Sequence, residues 1–156
     1  MAGKQDAINA VRDAQKELER ISQTANDQAW RKQAHTTEGG WNAKQLLCHI
    51  AATSNIPSMY IGMVKQGNES LPARPGFNLN EWNAGNVSER EAKSVDEIVG
   101  EIAANHKVNI ETLEATDDAT LARPWKLPWG PQGPLADMIC TWYQVHEMGH
   151  LKELGI

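Results

Sequence analysis

His146, Glu147, Met148, Gly149 and His150 place two imidazoles four residues apart. On a helix such positions stack on one face, so both rings can reach a single ion. With five histidines in the chain, chance supplies such a pair in roughly one of six chains of this composition, so placement must carry the argument. Leu135, Ile139 and Trp142 continue onto the same helical stripe, which turns both histidines inward. Two adjacent inward imidazoles are desolvated donors and acceptors that need partners. His49 is a third, set between apolar neighbours Leu46 and Ile50. Each alone reads as a hydrogen-bonded core histidine; the three together read as a divalent-metal site. Three protein ligands leave at least one position open, the pattern of catalytic rather than structural sites.

Other reactive side chains have plainer readings. His106 lies near the Ile102 stripe and is either a pocket base or an ordinary buried histidine, the latter being the simpler account. His35 falls in a loop and is expected in solvent. Cys48 is one residue from His49, about 100° around the helix, and reads as a buried inert thiol rather than a nucleophile. Cys140 has no partner by spacing. Glu147 should face away from the ion, toward solvent or a neighbouring helix.

Four long helices are required to position these groups. The first spans about Gln5 to Ala25, with Ile8, Val11, Leu18 and Ile21 inward and charged residues outward. A looser segment, Asn26 to Gly40, ends in two glycines. The second helix starts near an Asn42 cap and runs to about Gln66, with Pro57 expected to kink or divide it. The third begins at the Ser94/Glu97 capping box and continues through Ile98, Val99, Ile102, Val108 and Ile110 to Leu113. The fourth follows a proline-rich loop and runs from about Pro134 to Leu154. No stretch shows the alternation of a strand. His49 near the start of the second helix and His150 near the end of the fourth meet only if those helices are antiparallel. Short links make the first and second antiparallel, and likewise the third and fourth, so the second and third must be parallel. That demands a long crossover, and Gly67 to Lys93 provides one, carrying a short amphipathic piece from Leu79 to Arg90. The expected architecture is an all-α four-helix bundle, up-down-down-up. The crossover ends near the histidines, which makes Asn80, Glu81, Trp82, Asn83, Asn86 and Arg90 candidates to line a pocket, with Trp41 at its mouth. Asn83, Arg90 and Trp41 are the principal ones.

Composition narrows the function classes. The chain has 156 residues and a net charge of −5, which suits one domain over 1–156 and lacks the clustered basic surface that nucleic-acid binding needs. No apolar run approaches the ~20 residues of a membrane helix. The start, MAGKQDAINAV, has no apolar signal core, and two cysteines are too few for a disulfide scaffold, so a cytoplasmic protein is expected. Six Trp against one Phe and two Tyr is the one oddity, and it points to large flat groups in a core or around a cavity.

The stretch Gly40-Trp41-Asn42-Ala43-Lys44-Gln45-Leu46-Leu47-Cys48-His49-Ile50 resembles the Trp-x7-His opening of the second helix in DinB-like proteins. His146-x3-His150, followed by Leu151 and Leu154, is similar to their closing helix. Phe77 to Asn83 and Trp129-Gly130 resemble stretches of the branch near the mycothiol-dependent maleylpyruvate isomerases. The resemblance implies a four-helix bundle with a three-residue metal site at His49, His146 and His150, holding zinc first and nickel second. It also implies a link to low-molecular-weight thiols. The isomerase branch can carry Glu where this chain has His146, so the all-His set looks more like the general or thiol-transferase branches. The chain ends just after its fourth helix, so the extra C-terminal domain of some isomerase relatives is not expected.

The expected function is therefore metal-dependent attack of a thiol on a small electrophile, by a transferase or isomerase. Two alternatives stand beside it: a non-catalytic metal- or small-molecule-binding stress protein, and a metal-assisted hydrolase, for which the sequence offers no clear general base near the site. A small-molecule substrate, no nucleic acid, no membrane and a homodimer are the expected partner relations.

Overall fold

The computed structural model describes residues 1–34 and 40–156; His35 and Gly39 lie outside the described residues. Helix α1 (Lys4–Thr24) buries Ala7, Ile8, Val11, Ala14, Leu18 and Ile21 along one stripe. A short α2 (Asp27–Arg31), capped by the Asn26 side chain accepting from Ala29 N, occupies the segment that the sequence suggests is loose. It packs Trp30 inward. The second bundle helix comes in two pieces, α3 (Ala43–Thr53) and α4 (Ile56–Lys65). Asn42 and Gln45 form a reciprocal capping box at the start of α3. Pro57, in the first turn of α4, lacks the N–H that a continuous helix would use, which divides the run as expected.

The crossover carries α5 (Leu79–Arg90), and the third bundle helix is α6 (Val95–Ala115), started by the Ser94/Glu97 capping box. Val108, expected inward, is half exposed because it sits one position off the stripe that buries Ile98, Ile102, His106, Asn109 and Leu113. After the single turn α7 (Asp118–Leu121), the proline-rich loop forms a small hairpin, β1 (Pro124–Lys126) with β2 (Gln132–Pro134). Three-residue strands are too short to show alternation, so the expectation of no strand fails here. Gly130, at φ +118°, allows the turn that lets Leu127 N donate to Pro131 O. The hairpin covers Trp125, which is fully buried, and Lys126 N donates to Glu69 O of the crossover.

The last bundle helix is α8 (Leu135–Thr141), a π-helical segment (Trp142–Glu147) and α9 (Met148–Glu153). The π segment is the main departure from the expected regular helix. A π turn carries an additional residue between hydrogen-bonded positions, which a 3.6-residue period cannot register.

Side-chain bonds between helices give their directions. Ala2 N donates to Asp137 and Arg20 donates to the Ile156 carbonyl, so the first and last helices are parallel. Lys4 reaches Glu114 O and Gln15 reaches His106, so α6 is antiparallel to α1. Gln45 reaches Glu91, Asn105 reaches Ser54 and Ser58 reaches Asn109, so the second and third bundle helices are parallel. The protein is an up-down-down-up four-helix bundle. Its apolar interior forms two clusters, one around Val11, Tyr60, Leu113 and Trp142, the other around Leu18, Leu46, Ile102 and Leu151. Between them runs a layer of bonded polar side chains, including Ser54, Asn105, Asn109 and Tyr143.

Candidate metal centre

Helix α3 brings His49, the π segment His146, and α9 His150 to one end of the bundle. One ligand atom from each lies within 4.8 Å of the others. Ring centroids are 5.7 Å apart for His49 and His146, 4.9 Å for His49 and His150, and 4.6 Å for His146 and His150. His49 and His150 are buried and His146 is partly buried. Desolvation, reinforced by His150, pushes the His49 pKa down to about 4, and the same cause with both neighbours pushes His146 further down. Neutral imidazoles are the form that binds metal.

The donor set fits a divalent ion on two further observations. His150 Nδ1 pairs with Glu153 Oε2 at 2.8 Å. Because an ionised carboxylate only accepts, Nδ1 carries the hydrogen and Nε2 presents its lone pair to the other two rings. His146 Nδ1 is buried with no hydrogen-bond partner among the described residues, an orphan that a bound cation would satisfy. The His146 ring is fixed by stacking on Trp142, with centroids 4.2 Å apart and planes 25° from parallel. Trp129 of the hairpin turn lies 6.2 Å from the same ring, 18° from parallel, and 5.6 Å from Trp142, so the three rings form a triangle.

Beside the three rings is a cavity of about 250 Å³ lined by Trp129, Val145, His146, Gly149, His150 and Glu153. It is built from the hairpin turn and the last helix. The crossover residues proposed from sequence are elsewhere. Arg90 is held by both oxygens of Glu101, at 2.7 and 3.1 Å, and by Asn86 O, so its guanidinium ties α5 to α6. Asn83 is buried on α5, its Oδ1 without a hydrogen-bond partner among the described residues. Neither lines this cavity. Trp41 does reach the centre, its ring 5.2 Å from that of His49. Val145 and Gly149 carry no signal in the sequence; Glu153 lies three residues beyond His150, the i,i+3 spacing at which side chains on one helix face meet.

His106 is fully buried and is not in the cavity. Its Nδ1 lies 2.7 Å from Gln15 Oε1, and its Nε2 contacts Glu147 Oε1. Gln15 donates through Nε2 to Glu19 Oε1, which leaves Oε1 as the acceptor facing the imidazole, so Nδ1 carries a hydrogen. Glu147 thus turns to a neighbouring helix and anchors the π segment from behind.

Cys48 and Cys140 are buried, free thiols, and burial pushes both up to a pKa of about 11. Against the reference of 9.0, that lowers the thiolate fraction near neutrality about 100-fold. Neither cysteine is expected to react with a disulfide labelling reagent at pH 7 on the timescale of the unfolded chain, which should label at least about 100-fold faster. Rapid labelling of the native protein would contradict the packing.

Among described residues, no helix is long and apolar enough to cross a membrane. The family described as the DinB superfamily matches residues 10–154. The fold is similar to that of the mycothiol-dependent maleylpyruvate isomerase, at 13% identity and a TM-score of 0.74 over 97% of this chain and 60% of that one. A mutant of the isomerase gives 12% identity and a TM-score of 0.73 with the same coverage. YfiT from Bacillus subtilis, described as a probable metal-dependent hydrolase with an unusual four-helix bundle topology, matches at 17% identity and a TM-score of 0.69, over 97% of this chain and 85% of its own. The chain spans 60% of the isomerase's length. No curated protein sequence matches it. At these identities the likeness is one of fold.

Proposed function

This chain belongs to the DinB superfamily, and on that premise we propose that it is a divalent-metal-dependent enzyme. Its substrate reading is a low-molecular-weight thiol joined to a small electrophile, with His49, His146 and His150 as the ligands and zinc, then nickel, as the ion. The observation that carries this is the convergence of three desolvated imidazoles beside an open cavity, with His150 oriented by Glu153. A bound divalent ion supplies a lowered pKa to a thiol or water that it holds.

The chain's own residues do the rest. Glu153 fixes the tautomer and direction of His150. Trp142 holds the plane of His146, and Trp129 with Val145 forms the apolar side of the cavity. The buried cysteines are poor thiolates, so the reacting thiol must come from outside the chain. A cytoplasmic setting, where such thiols stay reduced, suits this reading.

Glu153 also favours a second reading. Its Oε1 has no hydrogen-bond partner among the described residues while Oε2 holds His150. A carboxylate oxygen at the cavity can accept a proton from water, the general base that the sequence did not reveal. Metal-assisted hydrolysis is therefore the alternative.

One experiment separates these. Tag-free protein is incubated with an activated aryl chloride, with and without a panel of small thiols, before and after chelation. Thioether formation that falls to background on chelation and returns with zinc or nickel is the expected result. Thioether formation indifferent to chelation would refute the mechanism. Product without any thiol would favour hydrolysis, and saturable binding with no product would favour a binding module.

A further inference from the structure

Trp129 is the most exposed tryptophan among the described residues, at 43%, and Val145 is exposed at 58%. Exposed large apolar groups singly need no explanation. These two share one cavity and flank a reactive centre, and Trp129 lies nearly parallel to His146. With Trp142 and His146 it completes a triangle of three rings at the edge of the cavity.

The polar half of the cavity carries one sign. Apart from the imidazoles, its only titratable side chain among the described residues is Glu153. Oε2 is committed to His150 at 2.8 Å, which leaves Oε1 to accept from a ligand. Among the described residues no Lys or Arg lines the cavity, Lys152 beside Glu153 included, and Arg90, the basic candidate on the crossover, is held by Glu101. Anion recognition uses basic forks or clustered backbone N–H groups. The net charge of −5 adds long-range repulsion of anions.

We propose that the cavity selects a ligand with a flat apolar body and a neutral or cationic hydrogen-bond donor, and discriminates against carboxylates. The body lies against Trp129 and Val145, and its hydroxyl or ammonium donates to Glu153 Oε1. This rests on the cavity beside the three histidines being the ligand site, and it specifies the class of molecule that site takes away from the ion.

Matched probes test it without metal or thiol. Benzyl alcohol, benzylamine and phenylacetate share an aromatic ring and differ in the charge of the head group. Binding to the metal-free full chain is followed by tryptophan fluorescence and by chemical-shift changes. Benzylamine and benzyl alcohol are expected to bind at least 10-fold more tightly than phenylacetate. Glu153→Gln should remove most of the advantage of benzylamine over benzyl alcohol while leaving benzyl alcohol within about 3-fold. Trp129→Ala should weaken both by about 5- to 10-fold. Phenylacetate binding as tightly as the other two, or binding indifferent to Trp129→Ala, would overturn the proposal. Zinc titration of the same samples reports independently on the metal reading: a one-to-one zinc complex with no probe selectivity would sink this inference alone, and selectivity without zinc binding would sink only the metal.

Discussion

His146→Ala is expected to abolish tight zinc binding, taking one ion per chain to essentially none. Losing an outer partner of a metal ligand typically costs 10–100-fold in affinity, and losing a ligand itself should cost more. The readout is the zinc-dependent shift in Tm. At a zinc concentration about 100 times Kd the native state gains ~2.7 kcal/mol. For a chain of this size that is a rise of roughly 5–10 °C. The alanine variant should show no such rise. The variant also loses the stack with Trp142, so its metal-free Tm will fall, and the comparison is therefore the shift on adding zinc. An equal shift in wild type and variant would remove His146 from the ligand set.

The second large effect lies behind the site. The His106–Glu147 pair is almost fully buried on both sides. Removing one partner of such a pair leaves an uncompensated polar or charged group and costs about 3–5 kcal/mol. Glu147→Leu or His106→Leu should each lower the Tm by roughly 6–20 °C. The double replacement His106→Leu with Glu147→Met should recover most of that loss, because apolar groups of similar volume replace buried pairs with little penalty. Single variants costing less than about 1 kcal/mol, or a double variant as unstable as the sum of the singles, would show that the pair does not act as a unit.

The helices that carry the site were legible because their signals are local. Asn42/Gln45 and Ser94/Glu97 are caps written in adjacent residues, and both form reciprocal boxes. The parallel pairing of the middle helices follows from joining the convergence of His49 and His150 to the lengths of the links between helices. What was hidden depends on distance or on a change of period. The π segment presents ordinary helix formers, and nothing in a 3.6-residue pattern marks where an extra residue enters. His106 and Glu147 find each other 41 positions apart, which no spacing rule connects. The cavity wall was assigned to the crossover because it ends near the histidines. The structure builds that wall instead from Trp129, brought over by a hairpin whose strands are too short to recognise. Arg90 looked available for substrate because Glu101, eleven residues on, lies on a different helix.

The polar layer between the two apolar clusters has a consequence for how the chain avoids wrong answers. Four helices with apolar stripes can be threaded in several ways, and an alternating up-down order would set every neighbouring dipole in opposition. This chain adopts side-by-side parallel helices in its middle. At the waist, Asn105 donates to Ser54 Oγ, and Asn109 donates both to Ser54 O and to Tyr143 Oη. Each such group would be stranded in the alternative threading at about 1–3 kcal/mol. The waist acts as a key cut for a single lock: its bonds close only when Ser54, Asn105, Asn109 and Tyr143 meet at one level, which the parallel middle helices provide.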